Sequence, residues 1–124
     1  MDTIEFTFQV NGINGTKWVG ATLRNASGVE QDQDAIQVEN GKTYNLSTSI
    51  SPALHSGGGW DMNANINSIQ YMLALWGNRI DARNCKSGVN GKPCNYCQKN
   101  GYHMEERLVD TGWGTLGHYP PYAQ

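Results

Sequence analysis

Asn-Gly steps at 11–12, 14–15 and 40–41 divide the first half of the chain. An Asn-Gly pair supplies the positive-φ backbone that tight turns require, and neither residue favours a helix interior. Thirteen Asn and fifteen Gly stand among the 124 residues, so the chain must be built from short elements joined by sharp turns.

What lies between the turns alternates. Ile4, Phe6, Phe8 and Val10 face one way and Thr3, Glu5, Thr7 and Gln9 the other, a period of two that fits a half-buried strand. Lys17 to Leu23 and Thr43 to Ile50 read as further strands, with a short one over Ala35–Val38. A hairpin is expected between the first two strands. Val38 to Tyr44 has the form of a strand, turn and aromatic-bearing strand met in small β-sandwiches, or of any hairpin. Between 66 and 76 the letters fit two periods. Ile66, Ile69, Met72 or Leu73, and Trp76 suit one helix face, whereas Ile69, Tyr71, Leu73 and Leu75 alternate as in a strand. The strand is preferred because the Asn run before it is poor helix material. A last strand is expected over Glu105–Asp110.

Branched aliphatics and Phe together fill only 22 positions, but four Trp, six Tyr and four Met add large apolar bodies, and a net charge of −2 provides little self-repulsion. The expected fold is therefore all-β and mainly antiparallel: a single domain over 1–124, sandwich or barrel, with a loop-rich C-terminal third and at most one short helix near 66–76.

Nine dispersed Lys and Arg do not make the concentrated basic surface that nucleic-acid binding needs. No apolar run reaches the roughly 18–20 residues of a membrane span. The opening Met-Asp-Thr-Ile-Glu lacks the basic and apolar regions of a secretory signal, which fits a cytoplasmic protein, or a secreted or virion-associated one if this is a processed form. Sequons at Asn14, Asn25 and Asn45 are little above chance for a chain so rich in Asn.

The chemistry is concentrated late. Cys85, Cys94 and Cys97 precede His103 with the spacing Cys-x8-Cys-x2-Cys-x5-His. A Cys-x2-Cys pair turns two thiolates toward one centre, and Gly101 gives the backbone freedom to bring in the other ligands, so four soft donors make a candidate tetrahedral zinc site. A disulfide from Cys85 to Cys94 or Cys97 and three unligated thiols are the alternatives, and the odd count tells against the disulfide. Pro93-Cys94-x-x-Cys97 followed by His103-Met104-Glu105 holds the ingredients of zinc nucleobase deaminases in the wrong order, since those enzymes place the His-x-Glu element upstream. If Cys85 is a ligand the zinc is closed and structural. If it is not, an open position beside Glu105 would suit a zinc-dependent hydrolase.

Glu30, Asp32 and Asp34 fall in a polar stretch without the ligand spacing of an EF-hand calcium loop. The remaining clue is a surplus of aromatics among amides and carboxylates, a mixture that stacks on and hydrogen-bonds sugars. The expectation is a binding module rather than an enzyme, recognising a glycan or a protein surface through Trp60, Asp61, Asn63, Trp113 and Tyr119. An interaction subunit of a virion or secreted assembly, self-associating into a homo-oligomer, is the alternative class.

Overall fold

The computed structural model describes residues 3–51, 54 and 69–115. It is mostly antiparallel β in two sheets, with no closed barrel among the described residues. The strands are β1 (Thr3–Gln9), β2 (Lys17–Arg24), β3 (Glu30–Val38), β4 (Thr43–Ser49), β5 (Gln70–Asp81), β6 (Tyr102–Asp110) and β7 (Gly114–Thr115). A six-residue α-helix, α1 (Asn95–Asn100), lies between β5 and β6. β1 and β4 form a two-stranded sheet, while β3, β2, β5 and β6 run in that order in the larger one, with β7 also on β5.

The alternation in β1 does what its period demands. Ile4 and Phe6 are buried, whereas Thr3, Glu5 and Thr7 are exposed. Val19, Ala21 and Leu23 form the buried side of β2. Ile4, Phe6 and Leu46 from the small sheet meet Ala21 and Leu23 from the large one, with Ile50, Leu54 and Ile69 completing the core. Burial of each large member contributes about 1.5–3 kcal/mol. The Phe6 and Tyr71 rings join the two sheets, with centroids 5.1 Å apart.

Pairing departs from expectation in two places. β1 pairs with β4 rather than forming a hairpin with β2, and β3 and β4 lie in different sheets. Both Asn-Gly connections therefore pass from sheet to sheet, because the apolar faces of β1 and β2 are buried against each other instead of side by side. The two connections also hold one another: Gly41 N–H donates to Val10 O at 2.7 Å, and Ile13 N–H to Asn40 Oδ1 at 3.2 Å. β3 begins at Glu30, five residues before the expected Ala35, so Glu30, Asp32 and Asp34 lie on a strand rather than in a loop. Among the described residues this strand pairs only with β2, and an edge strand carries polar side chains without penalty.

The strand reading of 69–76 holds from Gln70 onward; residues 66–68 lie outside the described set. Its register aligns Trp76 with Trp18 and Met72 with Thr22 on β2. The helix forms instead at 95–100. There Cys94 caps the start, its Sγ accepting from Cys97 N–H, and Gly101 ends it at φ 87°, its N–H bonded to Cys97 O at 2.7 Å. No helix among the described residues is long and apolar enough to cross a membrane.

Candidate metal centre

β5 and β6 are joined by a twenty-residue tip, 82–101, closed at its neck by Ala82 N–H donating to Gly101 O at 2.9 Å. Connections of this length are uncommon in compact domains. The tip has no apolar core of its own: within it only Cys85 and Cys97 are buried. Two tight turns shape it. Gly88 N–H bonds Lys92 O at 2.8 Å, and a Cβ on Gly88 would stand 2.4 Å from Pro93 O, so no other residue fits there without backbone movement. Asn90 and Gly91 then take left-handed backbone, with φ of 58° and 76°.

These turns return Cys94 to Cys85. Cys94 N–H donates to Cys85 Sγ at 3.3 Å, and Cys97 N–H to Cys94 Sγ at 3.4 Å. β6 begins at Tyr102, earlier than the expected Glu105, so His103 enters from a strand. Its Nδ1 stands 2.9 Å from Cys97 Sγ and 3.6 Å from Cys94 Sγ. The four ligand atoms of Cys85, Cys94, Cys97 and His103 all lie within 4.8 Å of one another. Bonds of about 2.3 Å to sulfur and 2.0 Å to nitrogen in a tetrahedron put neighbouring ligand atoms roughly 3.6–3.8 Å apart, so the cluster is compatible with one metal ion. The three cysteines are free thiols.

The surroundings tune the donors unequally. The Ser87 hydroxyl, 3.2 Å away, and the Cys94 N–H bring the Cys85 thiol down to about 6. Burial, followed by the neighbouring thiols, pushes Cys97 up to about 12. A bound cation would override that difference, since a coordinated thiol is deprotonated outright. His103 Nε2 is 2.7 Å from Glu105 Oε2, and this bond raises the histidine against the opposing effect of burial. A carboxylate on the far ring nitrogen fixes the orientation of a metal-binding imidazole. Glu105 thus stands behind the ligand. Period two on β6 puts His103 and Glu105 on one side of the strand, a signal already present in His103-Met104-Glu105.

The tip also reaches across the large sheet. Tyr96 OH donates to Asp32 Oδ2 on β3 at 2.6 Å, and Thr22 Oγ1 on β2 donates to Asp32 Oδ1 at 2.8 Å. Burial first, and then the Asp32 carboxylate, raise the Tyr96 phenol and keep it a donor. Nothing local in the sequence pairs residues 64 positions apart, so neither Asp32 nor Tyr96 was legible as part of the site. Between sheet and tip lies a cavity of about 380 Å³, with Trp76, Tyr96 and Tyr102 among its lining and Cys94 and His103 in one wall.

Of the residues expected to bind a ligand, Trp60, Asp61, Asn63 and Tyr119 lie outside the described set. Trp113 is half-buried, with the Arg24 guanidinium 3.8 Å from its ring centroid. It does not line the cavity beside the metal cluster.

No protein-family model matches the chain, and no curated protein or solved structure does either.

Proposed function

We propose that the chain is a non-enzymatic binding module whose Cys85, Cys94, Cys97 and His103 hold one structural zinc ion. The observation that carries this reading is the twenty-residue tip whose only buried side chains are two of the four donors. A segment without apolar contacts of its own is ordered by the ion that its donors share. Zinc suits three thiolates and an imidazole better than the hard cations, which prefer oxygen. With Cys85 among the donors the coordination is complete at four, which leaves no open position for a substrate or an activated water. Glu105, the base a hydrolase would need, is bonded to His103.

The pinned tip forms one wall of the cavity over the large sheet, and that cavity is the seat of the ligand. Aromatic rings beside Gln33 and Asp32 there are the mixture that selects small molecules, sugars among them, by stacking and hydrogen bonding.

Chelation tests the reading. Removing the ion should collapse the tip, with loss of near-ultraviolet dichroism and exposure of all three thiols, while the far-ultraviolet β signal largely remains. A hydrolase would instead lose activity on chelation and keep its tertiary signal.

Self-association is a second reading, supported by β6. Among the described residues β6 has no strand on its outer side, and it presents Leu108 at 51 % and Val109 at 58 % exposure. Light scattering that shows a monomer at high concentration would remove it.

A further inference from the structure

Deepening the binding-module reading, on which its metal-built wall rests, we propose that the cavity between the large sheet and the tip takes a small organic cation carrying a quaternary or alkylated ammonium group. Its volume of about 380 Å³ lies within the roughly 300–1,000 Å³ of small-molecule sites. Three aromatic residues, Trp76, Tyr96 and Tyr102, contribute to one lining. Aromatic π-faces attract cations, most strongly where water is excluded. Two of these rings already attract cations within the molecule. The Arg107 guanidinium lies 5.3 Å from the Trp76 centroid and that of Arg79 lies 4.8 Å from Tyr102. Neither arginine lines the cavity, and no Lys or Arg among the described residues does.

The fixed charge there is negative. Asp32 is held in place by Thr22 and Tyr96, one donor on each carboxylate oxygen, so each oxygen keeps acceptor capacity. Cys94 and His103 also line the cavity, and zinc held by three thiolates and a neutral imidazole would add one net negative charge. A neutral sugar would gain nothing from that charge, and an anion would be repelled. An ammonium centre surrounded by methyl groups satisfies rings and charge together, because it needs no hydrogen-bond acceptor.

The test titrates the zinc-loaded chain with choline and with its uncharged isostere 3,3-dimethylbutan-1-ol, followed by tryptophan fluorescence and by amide NMR shifts. Choline should bind saturably and at least about tenfold more tightly than the isostere. Shifts should centre on Thr22, Asp32 and Tyr96. Asp32→Asn should lower choline affinity about tenfold or more in a chain that stays folded and zinc-loaded, and Tyr96→Phe serves as the second variant if Asp32→Asn unfolds. A preference below tenfold, no saturable response to choline, or glucose binding in its place overturns the proposal. Zinc content measured on the same sample separates the two readings. A zinc-loaded chain that ignores choline refutes the cavity assignment alone, whereas choline binding by a chain that holds no zinc upholds the cavity and refutes the metal centre.

Discussion

His103 Nε2 and Glu105 Oε2 stand 2.7 Å apart, which leaves Nδ1 as the ring nitrogen facing the sulfurs of Cys94 and Cys97. The contact assigns Glu105 a positioning role behind the ligand. Glu105→Ala should therefore weaken zinc binding roughly 10- to 100-fold without unfolding the sheets. Competition against a chromophoric chelator measures the change, and Glu105→Gln, which keeps an acceptor oxygen, should recover part of it. Affinity unchanged in both variants would remove the carboxylate from the account.

Acidification should release the ion. Each thiol, and the imidazole when protonated, must shed a proton to bind metal, so coordination releases protons and a falling pH drives dissociation. The apparent affinity should fall steeply below neutral pH and level off above it. Cys85→Ser should make release occur at a higher pH, because it removes a thiol that Ser87 and the Cys94 N–H already hold below its ordinary range. Metal retention after gel filtration across a pH series reads both effects.

Gly88 and Gly12 separate steric collision from backbone strain. A Cβ on Gly88 would meet three backbone atoms of Lys92 and Pro93 within 2.8 Å, whereas one on Gly12 would meet nothing within 4 Å and suffer only from a φ of 79°. Gly88→Ala should cost about 2–3 kcal/mol and weaken metal binding, since it displaces the turn that brings Cys94 to Cys85. Gly12→Ala should cost about 1 kcal/mol and leave metal binding alone. Urea unfolding followed by zinc titration distinguishes them.

Asn25 is buried, only 7 % exposed, and its side chain makes three hydrogen bonds. Its Oδ1 accepts from the N–H groups of Ser27 and Val29, and its Nδ2 donates to Leu54 O at 3.3 Å. Asn25→Ala would leave those backbone groups unpartnered and should cost about 3 kcal/mol. The same burial denies the Asn25 sequon to a glycan. In a secretory host, mass mapping should find sugar only at Asn14 or Asn45, both exposed; a glycan on folded Asn25 would contradict the packing described.

The sequence made two parts of this molecule legible and concealed two others. Alternation located β1, and β-favouring runs between turn signals located β2 and β4, almost to the residue; in β1 and β4 one side is buried and the other solvated. The cluster was legible because four candidate soft ligands within nineteen residues carry their own chemistry, and the structure brings their ligand atoms within 4.8 Å of one another. Strand partners were concealed. A turn dipeptide such as Asn40-Gly41 specifies a change of direction, but whether the next strand pairs beside the last or crosses to a second sheet depends on where both apolar faces are buried. The cavity was concealed too, since Asp32, Trp76 and Tyr96 converge only after β3, β2 and β5 are aligned and the tip is folded over them.

Metal stoichiometry combined with a thiol count tests the central claim most directly. Elemental analysis of the purified chain should return one zinc per molecule, with no thiol reactive under native conditions and three reactive after chelation. A chain free of metal whose three thiols titrate at once, or one in which two cysteines are joined in a disulfide, would contradict the account.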